Sequence, residues 1–441
     1  MDFSLVQSIG PGSGAATIAV RIETLIATGR LRPGERLPAV RSLAAELGVS
    51  PATVAAGYRS LRDRGLARPD GRHGTVVAHQ PPLRVRPARP LPPDVRDLAS
   101  GNPDPALLPP LGPVFARISP AHKFYGGPAI LPQLAEIARA GFAADGITGD
   151  IAVAGGALDG IERVLQAELR PGDRVGVEDP SWPRIGDLVT AIGLRAEPIE
   201  VDQSGLLPDR LATALQAGAR AVIATPRGQN PTGAAIDAQR AADIQQVLSG
   251  HPQVLVIEDD YIADIAGAPY AAVHGRSDRW AVIRSVSKVL GPDLRLATVA
   301  ADPLTTSRVA GRQLLGAGWV SHLLQQTVAT LRSDAAASAL VARAKREYAT
   351  RRAALVAALA ERGITAHGRS GLGVWIPAEE ETAIVQALAE RGWAVSPGER
   401  YRYHSAPGIR VTTATLQPAE ARRLAGEIAA VVRGQATTYA G

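Results

Sequence analysis

The chain has 441 residues, 46% of them hydrophobic and 20% charged, and a formal net charge of +6. It is too long for one ordinary domain and apolar enough to fill large cores. The absence of cysteine excludes disulfides, thiol catalysis and cysteine-ligated metals. No apolar run approaches the length of a bilayer span, and the start MDFSLVQ lacks a basic region, so a soluble, cytoplasmic protein is expected.

The charge is unevenly placed. Residues 1–96 hold fourteen Arg, no Lys and seven Asp or Glu, a net +7 that leaves −1 for the remainder. A basic head on a near-neutral body suits a nucleic-acid-binding module, although a solvated surface has the same composition. Gly10 to Gly14 (GPGSG) has no strand before it, so it reads as a loop rather than a phosphate cradle. Ile18, Ile22, Leu25 and Ile26 form a helical stripe ending at Gly29, and a second short helix fits Pro38 to Leu47 with Gly48 as its stop. Ser50-Pro51 opens a third helix, Ser as cap and Pro at the first position, with Val54, Tyr58 and Leu61 inward and Gly65 closing it. Leu66 to Ala78 reads as a hairpin turning at Asp70-Gly71. Three helices and a hairpin describe a winged helix-turn-helix, whose third helix enters the major groove.

The stretch resembles the GntR family of bacterial regulators through Gly29-Arg-Leu-Arg-Pro-Gly-Glu-Arg-Leu-Pro38, Ser42-Leu-Ala44, Leu47-Gly-Val-Ser50, Thr53-Val54 and Gly74-Thr-Val76. That resemblance implies DNA contacts from Arg41, Ser50, Thr53 and Arg59, with Arg72 and His73 on the wing. Each taken singly also fits a solvated helix face. Pro51 departs from the family, which often has Arg there, so one contact and the sequence preference differ.

Domains are expected at 1–78 (winged helix-turn-helix), 79–97 (linker) and 98–441 (effector body). The linker, His79 to Asp97, has six prolines and four arginines, a composition of extended, semi-rigid chain. In the body, helical stripes alternate with short apolar runs at 174–178, 221–224, 254–257, 281–283 and 296–300. This predicts an α/β fold with a mainly parallel sheet covered on both faces, whose ligands bind at the carboxyl ends of strands. Polar clusters fall there: Gly155-Gly156, Asp179-Pro-Ser-Trp-Pro183, Asn230-Pro-Thr-Gly233, Glu258-Asp-Asp-Tyr261, and Ser285 to Ala297 around Lys288. A lysine forms a Schiff base with a carbonyl compound when its amine is deprotonated. Arg295 beside Ser285 and Ser287 suits a phosphate, so the pair suggests pyridoxal 5′-phosphate (PLP). Alone, this last stretch also fits a surface loop.

Together the five clusters resemble the fold-type I aminotransferases, which carry PLP. The resemblance implies that Lys288 forms the Schiff base, Asp259 pairs with the pyridine nitrogen, and Asn230 and Tyr261 bond the ring hydroxyl. It further implies that Trp182 stacks on the ring, and that Arg295, Ser285 and Gly155-Gly156 hold the phosphate. Tyr125 would reach a phosphate across a dimer interface. Arg410 takes the place of the substrate-carboxylate arginine, and Gly101-Asn-Pro-Asp104 lines the substrate side. Arg184 is a candidate for a second acidic group of the ligand, or a plain surface arginine. No grouping has metal-ligand spacing.

A GntR-type head joined to such a body resembles the MocR family, which implies a PLP-dependent transcriptional regulator binding a double-stranded DNA operator. Its effector would be PLP or an amino compound, and its state a head-to-tail homodimer without membrane contact. The alternative is a catalytically active PLP-dependent aminotransferase with an accessory DNA-binding head.

Overall fold

A computed structural model describes residues 8–27, 30–32, 34–63, 66–69, 74–78, 91–118 and 124–438. In the head, α1 (Ala15–Ala27), α2 (Val40–Leu47) and α3 (Pro51–Asp63) precede β1 (Ala67–Pro69) and β2 (Thr75–Val77). Ser50 Oγ accepts from the Thr53 N–H at 3.1 Å, so α3 starts at the sequence's own cap. Gly48 ends α2 at φ 66°, a left-handed turn that glycine adopts without a Cβ clash. Gly12 N donates to Leu47 O at 2.7 Å, and Ser13 Oγ to Ile9 O at 2.9 Å, which makes the GPGSG stretch a turn closed against the end of α2.

The head has its own core: Ile18, Ile22, Leu43, Leu47, Val54, Tyr58 and Leu61 are each at most 1% exposed. Gly57 allows α3 to approach α1, since a Cβ there would lie 3.1 Å from Ala15 O and from the Ile18 side chain. β1 and β2 pair antiparallel, Ala67 opposite Val77 and Pro69 opposite Thr75. The expected turn at Asp70-Gly71 and the wing residues Arg72 and His73 lie outside the described residues. Leu43→Ala will destabilise this head by about 2–5 kcal/mol through the cavity it leaves, read as an earlier denaturant midpoint for loss of DNA binding by the full chain.

The body opens with β3 (Arg96–Asp97) and is built on a sheet of β4 (Asp150–Ala154), β5 (Arg174–Asp179), β6 (Arg195–Asp202), β7 (Gly205–Leu206), β8 (Ala219–Ala224), β9 (Leu255–Asp259), β10 (Trp280–Ser285) and β11 (Ala297–Ala301). Its order is β4-β11-β10-β9-β8-β5-β6-β7. β8, β9 and β10 run parallel, whereas β11 runs antiparallel to both β10 and β4. The parallel strands are buried along most of their length, which is why they read as apolar runs instead of alternating ones. Beyond them, β12 (Gly373–Pro377), β13 (Trp393–Ala394), β14 (Ser396–Pro397) and β15 (Gly408–Thr412) complete the strands. β15 lies between β12 and β14 in a small sheet, and β13 pairs with β3. The 26-residue helix Ala335–Ala360 contributes Tyr348 to the core that surrounds Val286, Val289 and Leu290, and Leu355 and Leu359 to the core beneath the small sheet.

Candidate functional site

Register brings the site together. Ala154, Ala297 and Ser285 stand side by side across β4, β11 and β10, and Ile283 of β10 stands opposite Asp259 of β9. The segments just past these residues therefore share one edge of the sheet: Gly155-Gly156, Arg295, Lys288 and Asp259. Antiparallel β11 is essential to this, because only reversing its direction sets Arg295, just before its start, beside residues that follow β4 and β10.

Arg295 is held in an unusual backbone conformation, φ 23°, and its Nη2 donates to Gly155 O at 3.1 Å. A Cβ at Gly156, whose φ is 119°, would come within 2.5 Å of that Nη2. The space a side chain would fill is thus kept open beside a guanidinium and the start of helix Ala157–Glu168, an arrangement suited to a phosphate. The Gly155 N–H is itself bonded to Asp159 Oδ2 at 2.7 Å, so of the expected glycine pair only the Gly156 amide remains for a ligand. Ser285 Oγ donates to Ser287 Oγ at 3.0 Å.

Lys288 Nζ donates to the Gly101 carbonyl at 2.6 Å. Burial, with Arg410 nearby, lowers its amine from 10.5 to about 8, the direction a nucleophilic amine requires. Asp259 is 6% exposed, and its Oδ1 is buried without a hydrogen-bond partner. Burial first, then the neighbouring Asp260 and Glu178 carboxylates, pushes it up to about 7. A buried carboxylate oxygen with no partner costs free energy and is explained by a ligand that donates to it, as a protonated ring nitrogen does. The unpartnered carboxylate, depressed lysine and open glycine cradle fit PLP.

The other expected residues are distributed around this group. Asn230 Oδ1 accepts from Arg410 Nη1 at 3.0 Å, leaving its Nδ2 as donor. Tyr261 donates its hydroxyl to Gly228 O at 2.8 Å, and burial raises its pKa. Arg410, opposite Trp375 and Ser396 in the small sheet, also donates from Nη2 to Ala99 O and lies over the Tyr401 ring at 5.1 Å. Its Nε is buried without a partner. Trp182 is half-buried, and Arg184 is exposed in the first turn of Pro183–Ala191. Tyr125 is 92% exposed, its ring edge against Trp319 at 5.6 Å.

Several supporting residues escaped the sequence reading. Glu178 accepts from Thr225 N and Oγ1, both at 2.8 Å, and from Gln229 Nε2 at 3.1 Å, tying the strand before Trp182 to the loop that carries Asn230. Asp260 turns away from Asp259 to take two bonds from Arg227 and one from Arg284, and both arginines also reach Asp145. Arg352 gives its guanidinium to the carbonyls of Gly368, Arg369 and Gly371, and that loop receives Gly233: Ser370 N donates to Gly233 O at 2.9 Å. The adjacent acids at 259–260 hinted at two roles, since consecutive residues at a strand end face opposite sides. Arg352 gave no signal on a basic helix.

A DNA-binding head whose described residues include helices α1 to α3 and the paired strands β1 and β2, followed by an aminotransferase-type body, defines a class of regulatory protein. Residues 15–77 match the bacterial regulatory proteins of the gntR family, and residues 94–428 match aminotransferase class I and II. The chain belongs to the MocR-type GntR regulators. It is 42% identical over 423 residues to the vitamin B6 salvage pathway transcriptional repressor PtsJ of Salmonella typhimurium, covering 95% of this chain and 98% of that one. It is 30% identical over 448 residues to the HTH-type transcriptional regulator TauR of Rhodobacter capsulatus, covering 88% and 90%. Among solved structures, an archaeal alanine:glyoxylate aminotransferase superposes with a TM-score of 0.70 at 20% identity, covering 77% of this chain and 91% of that one, which shows the fold.

Proposed function

We propose that the protein is a PLP-dependent, DNA-binding transcriptional regulator that controls genes of vitamin B6 supply. One observation carries this reading: a gntR-type head and an aminotransferase-type body occur in one chain, alignable over 95% of its length with a vitamin B6 salvage repressor. The two family matches end at residue 77 and begin at residue 94, which supports a linker between head and body. Among the described residues no helix is long and apolar enough to cross a membrane; a cytoplasmic site of action is supported by the gntR-type head, whose DNA target lies there.

When bound, PLP supplies an aldehyde and an electron-withdrawing ring. The chain's own residues do the rest. Lys288 presents an amine whose depressed pKa keeps an appreciable neutral fraction. Asp259 holds a proton on the ring nitrogen, and that pairing restores its carboxylate to the charged state. Arg295 and the Gly156 amide bind phosphate. Asn230 donates to the ring hydroxyl and is itself oriented by Arg410, while Tyr261 closes the same side and Trp182 stacks on the ring. Arg410 receives a carboxylate. Ligand occupancy then shifts the population of body arrangements that permit DNA binding.

The working unit in this reading is a head-to-tail homodimer. Phe124, Tyr125, Leu314 and Leu315 are 82%, 92%, 67% and 89% exposed, and Trp319 joins their two segments. An apolar surface of this kind marks an interface, and a partner on it would bring Tyr125 to the second site.

The test is DNA binding to the region upstream of the protein's own gene, with and without PLP. Specific binding that PLP alters at least severalfold is expected, and affinity should fall steeply with salt because arginine–phosphate contacts release counterions. Turnover of amino acids and keto acids at ordinary enzyme rates without DNA binding would favour the second reading, an active aminotransferase, which the set of Lys288, Asp259 and Arg410 also suits.

A further inference from the structure

The phosphate cradle contains an acid. Gly155 and Gly156 lead from β4 into the helix Ala157–Glu168, and Asp159 is the acidic residue of that helix's first turn. Its Oδ2 accepts from the Gly155 N–H at 2.7 Å and from Arg163 Nε at 2.9 Å. A Cβ at Gly155 would come 3.4 Å from that oxygen, and a Cβ at Gly156 would come 2.5 Å from Arg295 Nη2. The glycine pair is therefore flanked by a carboxylate at one residue and a guanidinium at the next. Arg295 Nη2 is bonded to the Gly155 carbonyl, so both polar groups of the Gly155 backbone are already in use. The next N–H along the chain, that of Gly156, is the one left for phosphate.

We propose that Asp159 sets the affinity of the site: it is a negative charge beside the phosphate cradle that keeps PLP exchangeable. This rests on the functional reading above and adds what fixes the concentration range of its ligand. An acid in the first turn stabilises a helix by offsetting the positive end of the backbone dipole, and it satisfies an N–H that lacks an intrahelical partner. Both effects compete with the ligand, because the same N–H groups and the same dipole draw phosphate to a helix start. The carboxylate also repels a phosphate monoester, which carries about −1.5 to −2 charges at neutral pH. Arg163 offsets part of the carboxylate's charge, and solvent reaches the pair, whose side chains are 18% and 30% exposed. With that screening the repulsion amounts to about a three- to tenfold change in affinity. A regulator requires such a limit, since a body that never released PLP would report nothing of its supply.

Asp159→Asn tests this, because asparagine keeps an oxygen for the Gly155 N–H and loses only the charge. In absorbance titrations of the full-length protein, the variant should hold PLP about three- to tenfold more tightly than wild type. Pyridoxal, which has the ring and aldehyde but no phosphate, should bind the two equally. The PLP concentration that gives half the effect on DNA binding should fall by the same factor as the PLP affinity rises. A purely structural role predicts the opposite sign: loss of the first-turn charge weakens the helix start, loosens the cradle and lowers PLP affinity. Unchanged or weaker PLP binding in the variant, or equal tightening of PLP and pyridoxal, would overturn the assignment. Asp159→Ser, also short and uncharged, provides the same comparison if the asparagine variant does not fold. Failure of wild type and variant alike to bind PLP sinks the functional reading together with this one. Tightened PLP binding with DNA binding indifferent to PLP sinks the regulator reading and leaves the role of Asp159 standing.

Discussion

Lys288→Met will abolish the visible absorbance that the wild-type protein acquires with PLP, and will weaken PLP retention by about a hundredfold or more, equivalent to about 2.7 kcal/mol. The reason is that Lys288 is the amine placed at the site edge with a pKa of about 8. With an ordinary lysine the neutral fraction at pH 7 is about 0.03%; at a pKa of about 8 it is about 9%. Condensation with PLP should therefore accelerate with pH and level off above about 8 instead of above 10.5. Stopped-flow absorbance measures this. A rate still climbing tenfold per unit between pH 9 and 10 would contradict the assigned environment, and an unaltered spectrum in the variant would remove Lys288 from the site.

Asp259→Asn should split two properties that usually move together. The carboxyl is pushed up to about 7 by burial and by Asp260 and Glu178, above its value in the unfolded chain. The neutral form is thus favoured in the folded protein. Its ionisation costs stability, and the cost sets in above pH 4 and grows until about pH 7. Asparagine cannot ionise, so the cofactor-free variant should be more stable than wild type at pH 8 by a few kcal/mol, a gain that vanishes as pH falls towards 4. The same substitution removes the acceptor for a protonated ring nitrogen, and PLP-induced thermal stabilisation should nearly disappear. Denaturant titrations at pH 4.5 and 8, with and without PLP, give all four numbers. A variant less stable than wild type at pH 8 would show that Asp259 is a structural acceptor and not a ligand partner held ready.

Much of the site was legible because strand ends announce themselves. Apolar runs such as Val254 to Ile257 stop abruptly at polar residues, which located the clusters holding Asp259, Asn230 and Lys288. Residue chemistry suggested a Schiff base at Lys288, and the roles expected of Asp259 and Asn230 came from the resemblance to fold-type I aminotransferases. The short helices of the head were legible for a related reason: Ser50-Pro51 and Gly48 set local boundaries that tertiary context does not override. Other features were out of reach. The edge strands β4 and β7 and the neighbouring β6 are mixed in polarity or short, and the small-sheet strand β14 has two residues, too few for a periodic signal. The antiparallel course of β11 has no local signature, since a buried strand reads alike in either direction.

By itself the sequence determined the two-part plan, the basic head with its recognition helix, the strand-end clusters and the lysine. These depend on periodicity, caps and side-chain chemistry, which are local. Only the tertiary structure decided which charges are already spoken for. Asp260 binds two arginines while adjacent Asp259 is left without a partner. Arg352 clamps a loop, and the carbonyls of Ala99 and Gly101 sit on Arg410 and Lys288. Such pairings join residues up to 311 positions apart. Distance along a chain says nothing of distance in space, so burial and hydrogen bonding at a site are settled by packing alone.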